Sequence, residues 1–172
     1  MRGVGYAIHM RMRSLVLMSA LSLTFEAAAG ALPRTMRLDY FHTGNASEER
    51  FAPDRIVVEP LEWPGNPARP LDDTNSGKYF FEVVDRASGR VVYSRGFASI
   101  YGEWETTDEA KKIYRTFHES LRFPTPGGPV DVVLKKRDAK NVFRKIWTAP
   151  VDPKDMYLDT ARPRSPGPVI EI

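Results

Sequence analysis

The fold class is decided by two β-prone runs and the short loop that joins them: KYFFEVV (78–84), DRASG (85–89) and RVVYSRGF (90–97). Aromatic and β-branched residues dominate both runs, and the loop contains a glycine. This pattern predicts an antiparallel β-hairpin. The first run is apolar on both faces, which is typical of a central strand covered on both sides. The best core candidates are Phe80, Phe81, Tyr93 and Phe97.

Further segments on both sides of this hairpin alternate between apolar and polar residues, which is the period of a half-buried strand. They are residues 35–41, 116–123 and 130–135. Residues 55–59 predict another short strand around Ile56, Val57 and Val58, and residues 142–147 form a predicted second hairpin with 130–135. Glu119 falls on the apolar side of its segment, so it needs a partner in the interior. These patterns predict an all-β fold, an antiparallel β-sandwich whose topology the sequence leaves open.

One short helix is expected within this β framework. Thr106 and Glu109 have the spacing of a capping box, in which a threonine hydroxyl and a glutamate carboxylate satisfy each other's free amides. Ala110 to Tyr114 continues the pattern for about two turns. We therefore predict a helix over residues 106–114.

The N-terminal 31 residues have the order of a signal peptide: basic residues, an apolar stretch over 14–25, then small residues. Cleavage after Ala29 or Ala31 fits the small-residue rule. An apolar stretch of about a dozen residues is short of the roughly 20 needed to span a bilayer, so a membrane anchor or a buried helix is less favoured. We expect a secreted, periplasmic or cell-surface protein with no stable membrane insertion after cleavage.

Composition limits the function classes. The chain has 172 residues, no cysteine and a formal net charge of +3, which falls to +1 without residues 1–31. No basic stripe of the kind that binds nucleic acid is present, and Lys135-Lys136-Arg137 is interpreted as a solvated turn. We expect one domain over 32–153 and a Pro-rich linker over 154–172. The oligomeric state is open.

The residues of a zinc hydrolase are missing. No His-Glu-x-x-His occurs, and His9, His42 and His118 have no second ligand one helical turn away. The alternative is that His42 and His118 converge with Asp39 or Glu119 on an ion. We predict no catalytic residue, no metal ligand and no cofactor in this chain.

One segment is a candidate partner contact. Tyr101, Glu103 and Trp104 bring two aromatic rings and a carboxylate close together, and aromatic residues often anchor interfaces. The competing interpretation places Trp104 in the core and Gly102 in a turn.

Several blocks of the chain resemble one family in its own order. They are LDYFHTGN (38–45), EPLEWPGNP (59–67), YSRGFASIYGEWETT (93–107), FHESLRFP (117–124) and VLKKRD (133–138). Together they resemble the non-catalytic N-terminal domain of the M64 zinc metallopeptidases, the IgA-peptidase-like family. The resemblance implies a jelly-roll-like β-sandwich.

The same resemblance implies an accessory function. The chain reaches Ile172, about where that family's catalytic domain begins, so we expect a peptidase domain in cis that carries the zinc. The domain would assist folding of the peptidase, shield it or orient it, and would not itself be an enzyme. The alternative is a stand-alone carbohydrate- or surface-binding module that uses Trp63, Tyr101 and Trp104 as stacking platforms.

Overall fold

A computed structural model describes Met1 and residues 32–160. The signal peptide and its cleavage region at Ala29 and Ala31 therefore lie outside the described residues, as does the end of the expected linker. The described chain forms seven strands and one helix. They are β1 (Arg34–Gly44), β2 (Glu49–Glu62), β3 (Tyr79–Asp85), β4 (Val91–Phe97), α1 (Ile100–Trp104), β5 (Arg115–Pro124), β6 (Val130–Arg137) and β7 (Phe143–Val151).

The strands form two antiparallel sheets. One has the order β2-β1-β5 and the other β4-β3-β6-β7. The predicted all-β, antiparallel class is confirmed, and both predicted hairpins are present as β3-β4 and β6-β7. Their turns contain residues with positive φ, Gly89 at 68° and Asn141 at 65°, which suit glycine and asparagine.

One apolar core receives side chains from both sheets. It holds Met36, Leu38, Tyr40 and Val58 of β1 and β2, Phe81, Val83 and Tyr93 of the hairpin, and Leu121, Phe123, Val130, Val132, Leu134, Ala149 and Val151. The period-2 alternation of each strand explains this, because every second side chain points to the same layer. Of the four core candidates, Phe81 and Tyr93 are buried and Phe97 packs against the core. Phe80 is half-buried with its ring 5.0 Å from that of Phe143, because its neighbour Phe81 takes the inward position.

The predicted helix over 106–114 is wrong in position. The helix spans Ile100–Trp104, and Ser99 is its N-cap because its hydroxyl accepts from the Gly102 amide at 2.9 Å. The expected capping box does not form. The Thr106 hydroxyl donates to the Glu103 carbonyl, and the Glu109 carboxylate accepts from the Trp104 indole at 2.7 Å. Residues 106–112 form turns that follow the helix.

The segment after β7 does not leave the domain at once. Asp159 forms a bridge with Val57 of β2, with main-chain hydrogen bonds to Ile56 and Val58 at 2.9 Å each. Leu158 packs against the apolar core. The beginning of the expected linker, residues 154–159, therefore lies on the edge of β2. No helix among the described residues is long and apolar enough to cross a membrane.

Candidate functional site

A polar cluster lies between the two sheets, centred on His42 of β1. We call it the His42 cluster, and its members are Tyr40, His42, Glu49, Lys78, Tyr79, Tyr101, Glu105, Glu119 and Lys136. Both sheets and α1 contribute residues, so the cluster joins the two sheets and the helix. His42 itself is 1% exposed.

Both ring nitrogens of His42 bond to carboxylates. Nδ1 lies 3.0 Å from Glu119 Oε2 and Nε2 lies 3.0 Å from Glu49 Oε2. Two ionised carboxylates can only accept, so both nitrogens donate and the ring is an imidazolium. Burial opposes that charge, but the hydrogen bonds with Glu119 and Glu49 outweigh it and raise the pKa of His42.

The two glutamates have further partners that keep them ionised. Glu49 accepts from the Tyr79 hydroxyl at 3.0 Å and from Lys136 Nζ at 2.9 Å, and Glu119 accepts from the Tyr40 hydroxyl at 2.9 Å. Burial raises the pKa of each glutamate, but the hydrogen bonds, first of all to His42, lower it further than burial raises it. The expectation that an inward Glu119 needs a partner is confirmed.

Charges in the cluster balance. Lys136 bridges Glu49 and Glu105, and Lys78 pairs with Glu105. Burial would lower the pKa of Lys136, but its hydrogen bonds to Glu105 and Glu49 raise it. Three carboxylates therefore face two ammonium groups and one imidazolium, and the whole cluster is neutral only while His42 is protonated.

The His42 ring is closed to substrates. The Tyr101 ring stacks on His42 with 3.7 Å between ring centroids and 19° between planes, and Phe51 lies 4.3 Å away by the same measure. Proton transfer to a substrate requires contact with it, and a ring that is 1% exposed offers none. The arrangement around His42 is typical of a buried network of ion pairs that stabilises the packing of two sheets.

The two histidines do not converge on an ion. His42 and His118 lie on opposite faces of β1 and β5, since Phe117 is the cross-strand partner of His42 and His118 that of Phe41. Oxygens or nitrogens of Asp39, Asp54 and His118 lie within 4.8 Å of one another. Asp39, however, already accepts from Arg37 and Arg55, at 2.8 Å and 2.9 Å, so its negative charge is neutralised by protein groups.

The candidate partner-contact residues divide into two groups. Tyr101 and Trp104 are 0% and 8% exposed, in agreement with the competing interpretation that this segment belongs to the interior. The Tyr101 hydroxyl donates to the carbonyl oxygens of Asn45 and Glu48, at 2.8 Å and 3.0 Å. Glu103 is exposed. A partner contact at Glu103 stays a prediction.

The rings invoked for carbohydrate binding form no exposed platform. Two of the three rings, Tyr101 and Trp104, are buried. The third, Trp63, is half-buried and meets the Tyr93 ring edge-on, at an interplanar angle of 86°. Stacking on a sugar needs an accessible flat face. The burial of these rings counts against the binding-module alternative.

Sequence reasoning missed most of the His42 cluster. The interpretation of Lys135-Lys136-Arg137 as a solvated turn is wrong, because all three lie on β6 and Lys136 reaches Glu49 in the interior. Period-2 alternation does not reveal it, because Lys136 is adjacent to two other basic residues. The inward position of Glu119 was the one available signal.

The described fold is an all-β domain with a buried, hydrogen-bonded polar cluster between its two sheets. The family model for the N-terminus of peptidase M64 matches residues 26–148. The chain belongs to this family, and the match is to the N-terminal domain and not to a catalytic domain. Among curated proteins, none matches the chain.

Proposed function

We propose that this chain is a non-catalytic accessory domain of an exported M64 zinc peptidase, and that it holds the peptidase domain in a defined orientation. The family match supports the link to a peptidase. Export is supported by the composition of residues 1–31, and the zinc belongs to the proposed peptidase domain. A jelly-roll-like strand order is the corresponding proposal for the fold.

The observation that carries the proposal is the attachment of residues 154–159. Asp159 is fixed to β2 by two main-chain hydrogen bonds, and Leu158 is packed against the core. A turn stabilised by Asp155 precedes it, because the Asp155 carboxylate accepts from the Tyr157 amide at 3.0 Å. Residues after Thr160 therefore leave from a set point at the sheet edge, which would limit the orientations of a following domain.

Exposed apolar side chains beside this point support the same function. Met156 and Tyr157 are each 85% exposed, close to the position where the chain continues. Large apolar side chains at such exposure are common at surfaces that pack against another domain. A following domain that covers them would bury apolar area and rigidify the connection.

Two experiments test the proposal. The purified chain is expected to bind no stoichiometric zinc and to cleave no peptide, measured by metal analysis and with a casein substrate. Proteolysis that survives purification and stops with a chelator would refute the non-catalytic function.

Orientation is tested in a protein that carries this domain followed by its peptidase domain. Leu158→Ser is expected to release the attachment and to increase the radius of gyration in small-angle X-ray scattering. Val142→Ser, at a 44% exposed position, is the control and should leave it unchanged. An unchanged radius in the Leu158 variant, with the segment shown to be released by hydrogen exchange, would contradict the orienting function.

A further inference from the structure

A groove of about 400 Å³ is lined by residues of β4 in one sheet and of β5 in the other. Each of these strands is at the edge of its sheet, so the groove lies at an open side of the sandwich. Its apolar lining consists of Trp63, Phe81, Tyr93, Phe97 and Leu121. The groove thus places an apolar surface beside two strand edges.

β5 has a free edge at this groove. It pairs with β1 on one side, and no strand of the described chain pairs with its other side. The Thr125 amide donates to the Arg34 carbonyl, so every second residue of this antiparallel ladder, Leu121 among them, is in a hydrogen-bonded pair with β1. The main-chain groups of Ser120 and Arg122 therefore point away from β1, and both residues line the groove.

The edge of β4 is covered on the same side of the sandwich. The Ser94 amide donates to the Pro70 carbonyl at 3.0 Å, and the Gly96 amide donates to the Asp72 carboxylate at 2.8 Å. The loop before β3 thus occupies main-chain donors of β4. An added strand can find free main-chain donors and acceptors on β5 instead.

Both charged residues that line the groove are arginines. Arg95 is exposed, with Asp72 near enough to interact electrostatically. The Arg122 side chain is 53% exposed and donates through Nε to Glu59, whose same oxygen also accepts from Arg37. Because one carboxylate serves two guanidinium groups, an acidic side chain would complement the charge beside Arg122.

These features define the sequence pattern of a strand that could be added to β5. Leu121 is buried, so a residue opposite it would point to the apolar lining of the groove. The residues opposite Ser120 and Arg122 would point to the other face of the sheet, where an acidic residue would lie beside Arg122. The matching pattern is an extended segment in which an acidic residue stands between apolar ones.

The groove is remote from the point where the chain leaves the domain. Asp159 forms its bridge with β2, and the sheet order β2-β1-β5 places β5 at the opposite edge. A following domain that begins beside β2 therefore does not compete for the main chain of β5.

We propose that this groove binds an extended segment of another protein, with one acidic residue between apolar residues, as an added strand on β5. The main chain of the segment pairs with Ser120 and Arg122, an apolar side chain contacts the aromatic lining, and the acidic side chain lies beside Arg122. The proposal does not depend on the peptidase link, because the binding surface belongs wholly to this domain.

An NMR titration of the isotope-labelled chain with the capped peptide Val-Glu-Val-Thr-Val tests the proposal. We expect the amide signals of Ser120 and Arg122 to shift at about 1 mM peptide, as for a small, transient contact. The control peptide Val-Lys-Val-Thr-Val should give shifts that are smaller by about fivefold or more. Absence of shifts at these amides, or equal shifts with the two peptides, would overturn the proposal.

Methylated peptides test the pairing of main chains. Methyl groups on the Glu and Thr amides remove the donors that would face β5, so they should abolish the shifts. A methyl group on the amide of the central Val, which would face away from β5, should not. Equal effects of the two modifications would overturn the added strand.

A charge exchange tests the contact with Arg122. In Arg122→Glu the shifts should be lost with the glutamate peptide and appear with the lysine peptide, whereas the control Lys140→Glu, at an exposed turn position, should behave as the unmodified protein does. An unchanged preference in a folded Arg122→Glu variant would overturn this contact. Sedimentation velocity should show a monomer, and a dimer that Arg122→Glu dissociates would assign the groove to a second copy and overturn binding to another protein.

Discussion

The His42 and Tyr101 rings are stacked with 3.7 Å between their centroids, and this contact joins α1 to the central strand of the three-stranded sheet. The Tyr101 amide also donates to Glu119 Oε1 at 3.2 Å, so α1 is bound to the same carboxylate that bonds to His42. Two contacts of Tyr101 therefore attach α1 to the buried pair of His42 and Glu119.

Removal of the Tyr101 hydroxyl tests how firmly α1 is attached. In Tyr101→Phe the stacked ring remains, but the carbonyl oxygens of Asn45 and Glu48 lose a donor. We expect the free energy of unfolding to fall by about 1 to 2 kcal/mol, measured by urea titration. Tyr157→Phe, at an 85% exposed position, should change it by less than about 0.5 kcal/mol. Equal losses in the two variants would show that the buried hydroxyl contributes nothing.

The stability of the domain should depend on pH through His42. Its pKa is raised from 6.5 in the folded state, so its contribution is complete below that value and is lost as pH rises through the folded pKa. The pKa values of Glu49 and Glu119 are lowered from 4.5, so their contribution is lost as pH falls through their folded pKa values. We expect highest stability between these limits.

His42→Gln isolates the alkaline part of this profile. The variant should be less stable by about 3 kcal/mol near pH 6, because two buried carboxylates lose their cation. As pH rises from 6 to 9, its free energy of unfolding should change less than that of the unmodified protein. Urea unfolding at each pH measures this difference. His118→Gln is the matched control, since His118 is exposed and pairs with Asp54 at the surface. A pH profile unchanged by His42→Gln would refute the assignment.

Asp39 should contribute most to the loss of folding stability at acid pH. Burial raises its pKa, but hydrogen bonds from Arg37, Ser120 and Arg55 lower the pKa from 3.8 to about 2. Its contribution, about 2 kcal/mol, is present above pH 3.8 and is lost as pH falls towards 2. Asp39→Asn should therefore lower stability at pH 6 and flatten the profile between pH 4 and pH 2, as measured by thermal unfolding. A parallel loss at all pH values would point to packing instead.

Gly44 should not tolerate a methyl group. An added Cβ would overlap the Glu48 carbonyl oxygen and the Tyr101 hydroxyl, which approach the backbone at the end of β1. We expect Gly44→Ala to cost about 2 to 3 kcal/mol in the free energy of unfolding. Gly127→Ala is the control, because nothing lies within 4 Å of its added Cβ. A cost for Gly44→Ala no greater than for Gly127→Ala would contradict the close approach.

Alternation predicted the strands well because one face of each sheet is buried. In the alternating segment 35–41 the apolar positions are Met36, Leu38 and Tyr40, and all three are in the core. The extent of β2 was underestimated. Most of its first half is exposed, and the half-buried positions there are Glu49 and Phe51, so the sequence shows no clear apolar face. Its pairing with β1 comes from the turn at residues 45–48 instead.

The helix was misplaced because two local signals compete. Thr106 and Glu109 have the spacing of a capping box, but Ser99 can also cap a helix. The helix that begins after Ser99 contains Tyr101 and Trp104, and both rings are buried in the interior. The packing of those two rings therefore decides where along the chain the helix forms. Local patterns do not report which rings find space in a core, and they do not report the convergence of Lys136, Glu49 and Glu105 from distant parts of the chain.

The order of strands in the three-stranded sheet has a kinetic consequence. β1 is the first strand along the chain yet the central one of its sheet, and its contact between Tyr40 and Glu119 joins positions 79 residues apart. Such non-local pairing slows folding, so refolding should take milliseconds to seconds. Until β5 arrives, one side of β1 has no partner, and crowded conditions during that interval favour association between incomplete chains.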